Sequence, residues 1–169
     1  MTALATDAGL AGLWFDAQAH HPGPLQAPTD PQHPHLLAAQ RWLDAYWAAA
    51  SSAALPVHHM TPLGAASLDT PPLDLRGTPF QRAVWAALQA IPTGATSTYA
   101  AIAEAAGSPA AVRAAGAAIG RNPISLIVPC HRVLGRDGSL TGYAGGLERK
   151  RALLVHEGLQ GCRNLSRSG

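Results

Sequence analysis

The sequence predicts an α+β protein in two parts: a small N-terminal α/β lobe, residues 1–76, with an antiparallel sheet, and a helical C-terminal domain, residues 77–169. Three patterns predict it. Short apolar segments flank a turn near the N-terminus, an apolar face at helical spacing runs through residues 35–49, and from Thr78 onward short periodic stretches each follow a capping residue.

Thr2 to Ala5 and Leu10 to Phe15 read as two strands of a hairpin around the turn-former set Asp7-Ala8-Gly9. His20 to His33, rich in Pro, Gly and His, reads as a loop. From His35 to Ala49, Leu36, Leu37, Trp42, Leu43, Tyr46 and Trp47 share one face of a helix. Ser51 to Leu75 is proline-rich, loop-like, and ends in the link to the second part. There Thr78 caps a helix, Pro79 suits its first position and Gln81 completes a capping box, with Phe80, Val84, Leu88 and Ile91 along one face. Pro92-Thr93-Gly94 ends that helix. Ser97 or Thr98 caps the next, Tyr99 to Ala106, which Gly107 stops; Ser108-Pro109 then caps a third, Ala110 to Ile119, terminated at Gly120. Two short helices around a tight Gly-Ser turn have the form of a helix-turn-helix. Ile124 to Val128, an apolar run fenced by Pro123 and Pro129, reads as a buried strand.

Charge divides the chain as the patterns do. Residues 1–75 carry one basic and six acidic side chains, a net −5, whereas the remainder carries eleven basic and four acidic, a net +7. A polyanionic partner for the second half is the expectation. No apolar run is long enough to span a membrane and no basic-then-apolar leader precedes the first strand, so a soluble, cytoplasmic protein is expected. The two cysteines, Cys130 and Cys162, are expected as free thiols. His20, His21, His33, His35, His58 and His59 lie in loops without cysteine help, so no metal site is expected, and no cofactor motif occurs.

Chemistry concentrates at Cys130, delivered to the end of the apolar run and followed at once by His131 and Arg132. An imidazole and a guanidinium beside a thiol make an electropositive setting that favours thiolate, which marks Cys130 as a candidate nucleophile. An unpaired cysteine is also an ordinary small core residue, and adjacency alone leaves both readings open. Neighbours in an extended chain point to opposite faces, so His131 reaches the sulfur only through a bend at Pro129 or a bridging water. The third helix is nearly bare: Ala110, Ala111, Ala114, Ala115, Gly116, Ala117 and Ala118 surround Arg113, its one long side chain. It lacks the Arg, Asn and Gln set that reads base edges in the major groove. A thin helix suits close approach to a minor groove, with one long side chain entering the space of a displaced base.

The string Asn122-Pro123, five mostly apolar residues and Pro129-Cys130-His131-Arg132-Val133 resembles the active-site signature of the alkylguanine-DNA alkyltransferases, or methylated-DNA-protein-cysteine methyltransferases, bacterial members included. Gly77-Thr78-Pro79-Phe80-Gln81, Val84-Trp85, Thr98-Tyr99, Arg113-Ala114, Thr141 to Gly146 and His156-Glu157-Gly158 are similar to the same family in the same order. The resemblance covers about residues 77–158, and more loosely Gly9 to Pro22.

The resemblance implies a ribonuclease H-like first lobe and a winged helix-turn-helix-like second domain. It implies a direct-reversal DNA repair protein that moves the alkyl group of O-6-alkylguanine, with alkylated thymine as a further substrate, irreversibly onto Cys130 in a single turnover. In that scheme His131 takes the thiol proton through a water, and Glu157 orients the imidazole. Asn122 is the active-site hinge and Tyr99 donates to the guanine ring. Arg113 intercalates, with Ala114 and Ala117 beside it on the DNA face. Val133 and Cys130 offer backbone groups to the base, and Tyr143, Ala144 and Gly145 wall its pocket. The implied partner is double-stranded DNA, entered from the minor groove with base flipping by a monomer. Ala144 stands where many members have serine. Ser125 stands where some have proline, which implies a roomier pocket. A non-catalytic alkylated-DNA-binding protein is the alternative, though that group replaces the cysteine. A cysteine hydrolase would need an oxyanion hole.

Overall fold

The computed structural model describes residues 1–51 and 70–159, with helices and short strands in the order β1 (Thr2–Thr6), β2 (Gly9–Trp14), α1 (Pro34–Ser51), α2 (Pro79–Gln89), β3 (Ser97–Thr98), α3 (Tyr99–Ala105), α4 (Val112–Gly120), β4 (Val133–Leu134) and α5 (Leu147–His156). Most of the loop expected over Ser51 to Leu75, His58 and His59, and Cys162 with the tail fall outside the described residues.

β1 and β2 form the expected antiparallel hairpin, with Thr2 opposite Trp14, Thr6 opposite Gly9, and a bulge at Leu4/Ala5. The other edge of β2 is used as well. Leu10 bridges Leu73, through Leu10 N to Pro72 O at 2.7 Å and Asp74 N to Leu10 O at 2.8 Å. Leu13 bridges Ile124, through Leu13 N to Pro123 O at 2.9 Å and Ser125 N to Leu13 O at 2.8 Å. β2 is thus paired on both sides, and five of its six residues are buried. Leu10 and Leu13 therefore sit in one apolar cluster with Ala39 of α1, Val84, Trp85 and Leu88 of α2, Ile102 and Ala103 of α3, and Ala115 and Ala118 of α4.

α2 starts as its sequence dictates: Thr78 Oγ1 accepts from Gln81 N at 3.2 Å and Gln81 Oε1 accepts from Thr78 N at 2.9 Å, with Pro79 opening the helix. Its Trp85 donates from Nε1 to Ala118 O at 2.9 Å, which locks α2 to α4. Thr98 caps α3 through Ala101 N. Gly107 ends it in the left-handed region at φ +74, with Gly107 N bound to Glu104 O and Ser108 N to Ala103 O, the paired bonds of a Schellman ending.

Two expectations are corrected. The third helix begins at Val112, not Ala110: its N-cap is Ala111 with no side-chain cap, because Ser108 and Pro109 belong to the turn that closes α3. Ile124 to Val128 is buried as expected, yet it is a turn and not a strand. Val128 N bonds Ile124 O, Asn122 Oδ1 accepts from Ile124 N, and Leu126 adopts φ +73, so only Ile124 keeps a ladder contact. An apolar run reports burial, and its hydrogen-bond geometry is set by Asn122 instead.

Leu13, 1 % exposed, joins the hairpin to the turn that leads to Cys130. Leu13→Ala is expected to lower unfolding stability by about 2–5 kcal/mol. Urea unfolding checks this, and a loss under about 1 kcal/mol would show that the contact carries little of the fold.

Candidate active site

The turn ends at Pro129, whose φ −83 and ψ 62 bend the chain into a single 3-10 turn over Cys130–Arg132, and the next residues enter β4 beside β3. This bend lets consecutive residues serve different partners. Cys130 Sγ receives a hydrogen bond from Asn122 Nδ2 at 3.1 Å. The same amide donates to Val128 O at 2.7 Å, with a longer contact to Ile124 O at 3.3 Å, so Asn122 holds the ends of the turn and its sulfur together.

His131 is fully buried and its Nε2 lies 2.8 Å from Glu157 Oε1. An ionised carboxylate only accepts, so Nε2 carries the proton and Nδ1 the lone pair. Nδ1 is buried with no protein partner among the described residues. Arg132 does not flank the sulfur. Its Nε donates to Glu157 Oε2 and its Nη2 to Glu157 Oε1, both at 2.8 Å, while Nη1 reaches Ile91 O and Nη2 also reaches Thr93 Oγ1. Tyr46 Oη of α1 adds a fourth donor to the carboxylate, 2.9 Å from Oε1.

The charge states follow from these contacts. Burial on its own would raise the Glu157 carboxyl, but bonds from His131 and Arg132 outweigh it and hold the group at about 2. Burial holds His131 below its ordinary value of 6.5, against the pull of Glu157. Burial likewise raises the Cys130 thiol, and the Asn122 bond and Lys150 only partly offset it. The expected electropositive, thiolate-favouring flank is thus corrected: Arg132 is spent on Glu157, His131 is neutral, and the resting sulfur is a thiol.

A cavity of about 230 Å³ lies at this end of the molecule, lined by Tyr99, Gly116, Ile119, Gly120, Gly142, Tyr143 and Ala144 together with Ala19 and His20 of the hairpin side. Tyr99, Tyr143 and Ala144 of the expected set line it. Cys130 does not: it is 4 % exposed, though near enough to Tyr99 and Tyr143 that a thiolate there would raise both phenols. The Tyr99 hydroxyl meets Thr141 O at 3.0 Å and Gly142 O at 3.1 Å. Gly142 has φ +51, and a Cβ there would stand 2.8 Å from that hydroxyl, so both conformation and space require glycine. Val133 is buried and its carbonyl accepts from Lys150, while Gly145 is buried outside the lining. Ser125 does not open the cavity as expected. It is buried, and its hydroxyl donates to Gln18 Oε1. Arg113, Ala114 and Ala117 share the exposed face of α4, apart from the sulfur.

Lys150 escaped the sequence reading because it sits in a run of basic residues that looks like solvated surface. It is wholly buried, and Nζ donates to Val133 O and Thr141 O at 2.6 Å each, with Gly142 O at 3.4 Å. One ammonium thus ties the strand after the cysteine to the cavity wall. Its spacing seven residues before Glu157, the residue that caps the same helix, was the available signal. Among the described residues no group of three His, Cys, Asp or Glu side chains could hold a metal.

Both buried groups make stability fall in acid. Stability from neutral His131 is present above 6.5 and drains as pH falls below it. Stability from Glu157 is present above its ordinary 4.5 and is lost as pH falls through about 2. Urea unfolding across this range should show stability declining from pH 6.5 downward, and Glu157→Gln should flatten the part between 4.5 and about 2. An unchanged acid slope in Glu157→Gln would contradict the assignment.

The model for the DNA-binding domain of 6-O-methylguanine DNA methyltransferase matches residues 79–159. The methylated-DNA–protein-cysteine methyltransferase of Salmonella typhimurium is 59 % identical over 93 residues, 55 % of this chain and 54 % of that protein. The inducible one of Bacillus subtilis is 59 % identical over 85 residues, 50 % of this chain and 48 % of that protein. These matches span about half the length of the curated relatives. Solved structures extend further. Mycobacterium tuberculosis OGT in complex with DNA superposes with a TM-score of 0.67 at 39 % identity, covering 92 % of this chain and 84 % of that one. The M. tuberculosis O6-methylguanine methyltransferase does so with a TM-score of 0.67 at 37 % identity, covering 99 % and 94 %. With a mixed α/β fold that superposes on these structures at 37–39 % identity over 92–99 % of the chain, and a second half that matches the family's DNA-binding domain, this chain belongs to the O6-methylguanine-DNA methyltransferase family.

Proposed function

We propose that the protein repairs DNA by direct reversal, moving the alkyl group of O6-alkylguanine onto Cys130 once and irreversibly. The observation that carries this reading is the buried thiol held by the Asn122 amide, one residue before the buried His131–Glu157 pair and within electrostatic reach of Tyr99 and Tyr143, which edge a cavity. His131 Nδ1, with its lone pair, takes the thiol proton through a water. The sulfur attacks the saturated carbon in line, a C–S bond forms, and the C–O electron pair leaves with the guanine oxygen. The thiol proton passes to the departing base, so thiol and alkylguanine become thioether and guanine. Burial that raises the resting thiol also leaves the thiolate unsolvated at the moment of attack, which strengthens it as a nucleophile.

A thioether has no acidic proton and no hydrolysable bond, so each molecule acts once. Alkylated thymine, which presents the same alkyl–oxygen bond, is a second substrate in this reading. Tyr99 turns its hydroxyl from the Thr141 and Gly142 carbonyls to the guanine ring. Cys130 and Val133 offer backbone groups to the base edge, and Tyr143, Ala144 and Gly145 close round it.

The DNA reading draws on the net +7 of the second half and on the exposed face of α4, which carries Arg113 with Ala114 and Ala117. α3 and α4 act as the helix-turn-helix of a winged domain, residues 77–169, and residues 1–76 as a ribonuclease H-like lobe. A monomer enters the minor groove of the duplex, Arg113 fills the gap left by the flipped nucleotide, and neither metal nor cofactor takes part. No helix among the described residues is long and apolar enough to cross a membrane, in keeping with a cytoplasmic repair protein.

Incubation with a duplex bearing one methylated guanine, followed by intact mass, is expected to show one added methyl per protein, located on Cys130 and absent in Cys130→Ala. Arg113→Ala should slow repair of the duplex while leaving reaction with the free alkylated base unchanged. Multiple turnovers, or a methyl on another residue, would overturn the reading.

A further inference from the structure

Glu157 is served by a residue from outside the matched stretch 79–159. Tyr46 lies on α1, is 5 % exposed, and its hydroxyl donates to the same carboxylate oxygen, Oε1, that accepts from His131 Nε2. The phenol is fixed from several sides. Its ring stacks on Trp42 at 5.2 Å between centroids and lies against the His156 ring at 4.7 Å. His156 Nε2 also donates to the Tyr46 carbonyl at 2.8 Å.

Arg132 already holds the carboxylate through two parallel bonds, so orientation alone does not call for a further donor. A third donor on Oε1 does something different. A carboxylate oxygen that shares its electron density with a phenol is a weaker acceptor for the imidazole N–H, and a weaker partner for an imidazolium. We propose that Tyr46 is a positioning residue of the first lobe that tunes the basicity of His131, through its hydrogen bond to Glu157 Oε1, and so sets the pH at which Cys130 is activated. The inference rests on the alkyl-acceptor reading only in supposing that His131 is the base for Cys130.

Among the described residues, Arg132 bears on the pair from the 3-10 turn beside Cys130, Lys150 from α5, Tyr143 from the loop before α5 and Tyr46 from α1, with His156 of α5 against the Tyr46 ring. Burial and the Glu157 charge push the Tyr46 phenol far above its ordinary value, so it stays a proton donor throughout the working range.

The sign of the effect follows. Without the Tyr46 hydroxyl, Oε1 becomes a better acceptor, His131 gains basicity and protonates at higher pH. The test is the rate of Cys130 modification by iodoacetamide against pH, read from the mass of the peptide carrying Cys130. In Tyr46→Phe the acid limb should move to higher pH by about one unit, the scale of one hydrogen bond to a carboxylate, and the neutral-pH rate should rise. A ring-fluorinated tyrosine encoded at position 46 keeps the fold and is a stronger donor, so it should move the limb the other way. Gln40→Ala, which alters an exposed residue on the same helix whose side chain bonds Asp44, should leave it in place. A purely structural Tyr46 would lower stability with the limb unmoved in both Tyr46 variants, and that result would overturn the proposal. Iodoacetamide needs no DNA, so wild-type failure to take a methyl from the lesion would sink the repair reading and leave this measurement standing.

Discussion

One buried carboxylate organises this molecule. Glu157 sits at the end of α5 with its side chain sealed from water, and an unpaired charge there would cost several kcal/mol, about 3–5 when a partner is removed from such a pair. The fold supplies four donors to its two oxygens, from Arg132, His131 and Tyr46. Meeting that demand decides much else. Arg132 must turn away from the sulfur, so the chain must bend tightly at Pro129, and α1 must pack over α5 so that Tyr46 arrives.

The sulfur sits on the other side of the same bend under opposing forces. Burial favours the thiol, and the Asn122 bond and the Lys150 ammonium favour the thiolate; burial wins at rest. A thiol held this way is spared chance oxidation, and in the proposed reaction the lone pair on His131 Nδ1 releases it through a water. Lys150 belongs to the same economy of buried charge. It is offset by three carbonyls, two of which also receive the Tyr99 hydroxyl, so the cavity wall and the cysteine strand are braced by one cation.

Local chemistry was legible in the sequence. The Thr78-Pro79-Gln81 box, the Gly107 stop and the hairpin turn are settled by bonds within a few residues, and each forms as its residue types require. What was not legible involves distance. Ile124 to Val128 has the composition of a strand, but Asn122 takes its backbone groups and forces a turn. Arg132 beside Cys130 suggested a cation for the sulfur, whereas a partner 25 residues away claims it. Tyr46 and Lys150 looked like an aromatic on a helix face and a surface charge, and only the packing of α1 and α5 reveals them as neighbours of the site.

The central claim is that Glu157 stays ionised in the interior and thereby fixes the proton of His131 on Nε2, leaving Nδ1 as the free base. Nitrogen NMR of histidine-labelled protein at neutral pH, with His131 assigned by substitution, tests this directly. The account predicts a neutral imidazole with a protonated Nε2 and an unprotonated Nδ1. A proton on Nδ1, or an imidazolium at neutral pH, would contradict it.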